Sequence, residues 1–170
     1  MGAAGLLEPG RRHVARDRGI KRRGDRQSAF HWTKEGVEKR HAMIDLLGEL
    51  DVGVFATVHS PVAPKRQENA RARSMRQLVT MLNREGVDEL IIESRGIQDV
   101  HDRQVLIEAA QAGLCSPELT YSFGTKTEAL LWLPDAVAGL LSEAECGRSD
   151  RWIADLQRVA HVFEVRRIDL

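Results

Sequence analysis

Residues 65–94, KRQENARARSMRQLVTMLNREGVDELIIES, change their apolar period at one glycine. Before Gly86, the residues Met75, Leu78, Val79 and Leu82 recur at steps of three and four, which lines up one helix face. After it, Leu90, Ile91 and Ile92 are consecutive, a run of strand length. Gly86 itself suits the left-handed residue that closes a helix. The stretch therefore predicts a helix over 65–86 followed by a strand over 87–94.

The pattern repeats outward. DVGVFATVHS (51–60) is valine-rich and stops at Pro61, so a strand is expected before the helix. DVHDRQVLIEAAQAG (99–113) predicts a helix with Asp99 as its cap and Gly113 at its close. ELTYSFG (118–124) reads as a strand with Tyr121 and Phe123 on one face, and EALLWLPDAVAGLLSEAE (128–145) as an apolar helix. SDRWIADLQRV (149–159) predicts a short helix, and HVFEVRRI (161–168) a strand or extended tail. Upstream, SAFHW (28–32) fits a short strand. KEGVEKRHAMIDLLGEL (34–50) fits a helix capped by Thr33, with Val37, Met43, Ile44 and Leu47 on one face. Strands alternating with helices predict an α/β domain, its sheet largely parallel and flanked by helices. Ligands in such folds bind beyond the carboxyl ends of strands. That singles out His59–Ser60, Glu93–Ser94–Arg95 and Ser122.

Composition sets the class. The 170 residues are 42% hydrophobic and 29% charged, and 25 basic residues balance 25 acidic ones. One globular domain over 28–170 is expected, with no partner implied by net charge. Residues 1–27 differ. They show no hydrophobic period, and Arg11, Arg12, Arg16, Arg18, Lys21, Arg22, Arg23 and Arg26 crowd one stretch. A disordered, solvated segment is expected there, or one that touches nucleic acid or an anionic surface. The cysteines, Cys115 and Cys146, have neither the number nor the spacing of a disulfide framework or zinc site. No apolar run approaches the ~20 residues that span a bilayer, and no signal-peptide core opens the chain. The expected compartment is the cytoplasm.

Asp135 is the residue that needs explaining. It lies inside LLWLPDAVAG (130–139), one place after Pro134, in the most apolar helix of the chain. A lone carboxylate there is costly unless something satisfies it. Either the helix restarts at Pro134 and Asp135 complements its dipole, or Asp135 points into a cleft. The small Ala138 and Gly139, one turn on, would let another element approach that face. Glu93 has the same two readings: a strand-end residue paired with Arg95 or a lysine, or a metal ligand or general base. Asp99 reads as a helix cap rather than a ligand, and Asp102 as a distant third candidate. His31, beside Trp32, reads as half-buried and hydrogen-bonded or as lining a cleft. The histidines show no HxxxH or HxxE spacing, and GxSxG, GxxxxGK and GxGxxG are missing. These absences argue against zinc hydrolases, serine hydrolases, P-loop proteins and dinucleotide binding. Arg66, Arg73 and Arg76 on the basic helix, with Arg95 at the strand end, are the candidate phosphate contacts. A solvated helix face with glutamate partners is the alternative.

FHW (30–32) before a helix, the long stretch from Arg66 to Gly96, and ALLWLPDAVAG (129–139) together resemble a large bacterial family of unknown function with a ribonuclease H-like fold. The resemblance covers roughly residues 29–145. Family members open on a strand with a DES-like acidic motif and close on a helix reading approximately ADLVAGA. Asp135 matches the last acidic position, and Glu93 the acid that ends a middle strand. The resemblance implies a ribonuclease H-like mixed or mostly parallel sheet, with Mg2+ or Mn2+ held by clustered carboxylates for phosphodiester hydrolysis. No acidic first strand is recognisable, and the basic stretch 1–27 stands in its place. The expectation is thus an incomplete or degenerate metal-dependent nuclease-like protein that has lost its first strand. Glu93 and Asp135 would be its catalytic metal ligands, Asp102 a third, and nucleic acid its partner. A non-catalytic binding protein of the same fold, using its basic segments, is the rival. A destabilised remnant without activity is the third possibility.

Overall fold

A computed structural model of the chain describes residues 2–7 and 30–168. Strand β1 (Gly2–Leu7) pairs antiparallel with β2 (Gly53–Val58), whose other edge pairs in parallel with β5 (Val162–Arg167). A second, two-stranded sheet joins β3 (Glu89–Glu93) and β4 (Thr120–Gly124) in parallel, with Glu93 opposite Gly124. Between the strands run α1 (Val37–Glu49), α2 (Gln67–Arg84), α3 (Asp99–Gln111), α4 (Trp132–Glu145) and α5 (Arg151–Val159). The domain is mixed α/β, as its alternating pattern requires.

β2 explains why its sequence is apolar without alternation. All six of its residues are buried. Val54, Ala56 and Val58 pack with Leu47 of α1, Val137 and Leu140 of α4 and Leu156 of α5. Phe55 packs on the opposite face, against Leu78, Met81 and Leu82 of α2. Successive strand residues point to opposite faces, so helices on both sides demand apolar residues at every position.

β3 is covered differently. Ile92 is buried against Met75 and Val79 of α2 and Val105, Leu106 and Ala109 of α3, with Leu90 packed alongside. Ile91, one place away and hence on the other face, is 37% exposed. Glu93 shares the face of Ile91 by the same period of two. The strand therefore presents its last acid on the side away from α2 and α3.

α4 needs no restart at its proline. Pro134 falls in the first turn, where a backbone N–H has no partner within the helix, so its missing donor removes nothing. Leu133, Ala136, Val137, Leu140 and Leu141 form the buried stripe. Gly139 serves a close approach, since a Cβ there would lie 2.6 Å from Trp32 Cγ. Trp32 begins a single 3-10 turn, Trp32–Lys34, and is 1% exposed. Its ring meets Trp152 edge-on at 5.3 Å and lies 5.0 Å beneath the Arg40 guanidinium. Arg40 also donates to the Trp32 carbonyl and pairs with Glu143 of α4. These contacts seat the 3-10 turn on α4 and fix the residue before it, His31.

Several expectations are corrected. The sequence reading leaves 1–27 without regular structure and the fold without its first strand, but a strand does precede residue 28: Gly2–Leu7 pairs with β2. GAAGLL is a short run with no charge, unlike 11–26, and too short to display a period. Residues 8–29, with most of the basic segment, lie outside the described residues. Of the strand expected over 28–32, the described residues 30–32 form none: Trp32–Lys34 is a 3-10 turn, and Thr33 lies within it, leaving Gly36 to precede α1. Val37 is 48% exposed and does not share the buried face of Met43, Ile44 and Leu47. Gly86 and Gly113 adopt φ of +72° and +69°, the helix-closing role expected of them. No helix among the described residues is long and apolar enough to cross a membrane.

Candidate functional site

Two pairs of side chains from four segments are brought together, Glu93 with Lys126 and Asp135 with His31. Glu93 ends β3. Lys126 follows β4, and its Nζ lies 3.5 Å from Glu93 Oε1. Asp135 stands in the first turn of α4, and its Oδ2 lies 3.8 Å from His31 Nδ1. The tight turn after β4 aims Lys126. Glu128 Oε1 accepts the Thr125 backbone N–H at 2.8 Å, and Trp132 Nε1 donates to the Lys126 carbonyl at 2.9 Å. His31, Asp135 and Glu93 are each 40% exposed at the side chain, so both pairs stand at the surface rather than in a buried core.

Asp135 is the perturbed member. Burial pushes its carboxyl up; His31 opposes this, the Glu93 carboxylate adds to it, and the Trp32 backbone N–H and Lys126 pull it down. The net direction is upward. The Glu93 charge thus acts on Asp135, which links the two pairs electrostatically. A carboxyl whose folded pKa is raised favours the folded state while protonated, and loses that contribution as pH rises through the folded pKa. Asp135→Asn should therefore raise stability at neutral pH, by less than about 1 kcal/mol because solvent screens the group. Its amide oxygen can still accept the Trp32 N–H. Urea unfolding of parent and variant at neutral and acid pH measures this: the gain should vanish at low pH. A variant less stable than the parent at neutral pH would mean that His31 and the Trp32 N–H outweigh burial and Glu93.

Asp102 lies elsewhere. It is 2% exposed on α3, with both carboxylate oxygens engaged. Arg71 forks onto it at 2.8 and 3.0 Å, and Arg95 reaches it at 2.9 Å. The charges that chiefly act on it are those of Arg71 and Arg95. Asp99 is not the helix cap expected of it: it is the first residue of α3, preceded by Gln98, and its carboxylate instead ties down the loop after β3 by accepting the Ser94 hydroxyl at 2.7 Å and the Arg95 backbone N–H at 2.6 Å. Of the candidate phosphate contacts, Arg95 is committed to Glu68 and Asp102, and Arg76 to Glu108 at 2.6 Å. Arg66 and Arg73 are exposed and make no ion pair among the described residues. The strand-end pair His59–Ser60 borders a separate cavity of about 260 Å3 with Gln67, Ser142, Glu145 and Cys146. That volume falls below the roughly 300–1,000 Å3 of ordinary small-ligand sites.

Sequence reading missed Lys126 and named His31 only as an alternative. The signal for Lys126 was available. Parallel strands place their carboxyl ends side by side, so whatever follows β4 must stand near whatever ends β3. Ser122, the β4 residue singled out instead, lies within that strand, opposite Ile91.

The donor set limits what the cleft can hold. Among the described residues, no three His, Cys, Asp or Glu groups converge to hold a metal ion. Two neighbouring carboxylates do suit Mg2+ of the kind that keeps several waters and completes its shell with substrate phosphates. No protein family, curated protein or solved structure matches the chain.

Proposed function

We propose that this is an incomplete, nuclease-like protein of ribonuclease H-like style, whose cleft acts on nucleic-acid phosphodiesters with a divalent metal. The observation that carries the reading is Asp135, a carboxylate kept half-exposed beside a second carboxylate although burial and Glu93 both disfavour its charge. Perturbed acids in clefts cluster at functional sites. The three-stranded sheet, in which β2 pairs antiparallel with β1 and parallel with β5, supports the fold part of the reading by being mixed. The incompleteness follows from β1, whose GAAGLL carries no acid.

Glu93 and Asp135 would hold Mg2+ or Mn2+, which when bound supplies an activated water and neutralises charge on the phosphodiester. The Trp32 N–H fixes the Asp135 carboxylate, and the Thr125–Glu128 turn holds Lys126 at the rim, where its ammonium can meet a phosphate oxygen. Exposed Arg66 and Arg73 add non-specific attraction to the backbone of the nucleic acid. Incubating the protein with single- and double-stranded DNA and RNA, with Mg2+ or Mn2+, tests the reading. Metal-dependent cleavage that disappears in both Asp135→Asn and Glu93→Gln is expected. Equal cleavage by parent and variants would assign the activity to a contaminant.

One observation favours a second reading, a non-catalytic binding protein. Lys126 already places a cation on Glu93, as a residue substituting for a metal would. On that reading the parent binds nucleic acid without cutting it, and affinity falls steeply with salt while hardly depending on sequence. Filter binding at two salt concentrations, run beside the cleavage assay, separates the two.

A further inference from the structure

We propose that Trp132 and Lys126 together hold one nucleotide of a single strand: the indole ring stacks on a base, and the ammonium meets the phosphate beside that base. The inference deepens the proposed function and rests on nucleic acid being the partner; it needs neither a metal nor contact between the two acids. Trp32 is 1% exposed and Trp152 4%, whereas Trp132 is only half-buried. Trp132 packs against the main core and still reaches the surface. Its ring is not free to swing, because Nε1 donates to the Lys126 carbonyl at 2.9 Å. That bond ties the ring to the very residue whose side chain is 64% exposed. Glu128 steadies the same turn by accepting the Thr125 N–H at 2.8 Å. The surroundings are apolar. Leu130 is 41% exposed in the 3-10 turn Ala129–Leu131, which leads into α4. That turn lies against β3, whose Ile91 is 37% exposed. A fixed aromatic ring, uncovered aliphatic carbon and a mobile cation suit a flat apolar group joined to an anion. A nucleobase with its phosphate has that build, and aromatic stacking beside a backbone cation is how single strands are held with little regard to sequence. The Lys126–Glu93 contact is a surface ion pair, weak enough for a phosphate to draw the lysine away.

Two oligomers of equal length and charge test this without added metal: fluorescein-labelled oligothymidylate, and the matching abasic deoxyribose-phosphate chain. Fluorescence polarisation at low salt reads their affinities for the full chain, and tryptophan emission is followed with the unlabelled oligomers. Oligothymidylate should bind about tenfold tighter than the abasic chain, the scale of stacking one base on an aromatic ring. It should also quench the emission, which the abasic chain should not; with Trp32 and Trp152 buried, a stacked base quenches Trp132. Trp132→Phe should keep most of the preference while losing the quenching. Trp132→Leu should bring the two oligomers to the same affinity. Lys126→Ala should weaken both by a similar factor, since both carry the phosphate. The comparison within the parent decides even if the leucine variant does not fold. Equal binding of the two oligomers by the parent, without quenching, would overturn the stacking and leave nucleic-acid binding standing. A preference that survives Trp132→Leu would place the base elsewhere and overturn it as well. If the parent binds neither oligomer, the nucleic-acid partner itself is wrong, and the proposed function falls with the stacking.

Discussion

Asp102→Ala is expected to destabilise the protein by about 3 kcal/mol. The carboxylate is 2% exposed and balances two guanidiniums. Removing it leaves Arg71 without its acceptor and Arg95 with only Glu68 and Gln98. Losses from breaking one side of a buried pair run at about 3–5 kcal/mol. The lower end applies because the arginine side chains keep 26% and 21% of their surface in water. The same cluster makes stability fall in acid. Burial pushes the Asp102 carboxyl up, but the hydrogen bonds and charges of Arg71 and Arg95 outweigh it and hold the group below the ordinary carboxylate range. A depressed folded pKa contributes stability above the unfolded value of about 3.9 and loses it as pH falls through the folded pKa. Urea midpoints followed from pH 7 downward should drop in the parent across that acid window, and less in Asp102→Ala. A neutral-pH loss below about 1 kcal/mol would show that water reaches the arginines well enough to make the pair a surface one.

Gly139→Ala sets two effects against each other. Replacing glycine by alanine inside a helix normally adds up to about 1 kcal/mol of stability. Here the new Cβ would stand 2.6 Å from Trp32 Cγ and 2.9 Å from Cδ1. Those atoms belong to a ring held by Trp152 and Arg40, so the neighbour cannot swing aside. Overpacking of this kind costs about 1–3 kcal/mol, and a net loss of about 1–2 kcal/mol is expected. Thermal unfolding measures it. A stabilised Gly139→Ala would mean that the 3-10 turn sits loosely on α4. The near-UV signal of the buried Trp32 should change with the stability, because relief of the clash moves the turn. That same turn carries His31 and the N–H that holds Asp135, so packing at Gly139 and geometry at the cleft are one problem.

The elements whose residues bury an apolar face are legible in the amino-acid pattern. β2 reads as a strand because helices cover both its faces, and α2 reads as a helix because Met75, Leu78, Val79 and Leu82 meet the sheet. Gly139 is legible too, as a small residue permitting close approach. β1 is not, since six small or aliphatic residues beside a dense basic stretch carry no period. The role of Asp102 is equally hidden. Its partners are 31 and 7 residues away in sequence, and only the packing of α2 on α3 brings Arg71 within reach. At the cleft, residue types mark Asp135 and Glu93 as acids in need of partners. They do not say that Lys126 and His31 provide them, because Lys126 arrives through the parallel pairing of β3 with β4, and His31 through the seating of the 3-10 turn on α4.

The central claim is that Glu93 and Asp135 together receive a divalent cation, and Mn2+ paramagnetic broadening of backbone amide signals tests it most directly. Substoichiometric Mn2+ should broaden amides of residues 31–33, 93–95, 126–127 and 135–136 first. The broadening should vanish in both Asp135→Asn and Glu93→Gln, and excess Mg2+ should compete it away. Broadening that spreads over exposed acids such as Glu68 and Glu108 and survives both substitutions would contradict the claim. Asp135 would then be a helix-start carboxylate held by His31 and the Trp32 backbone.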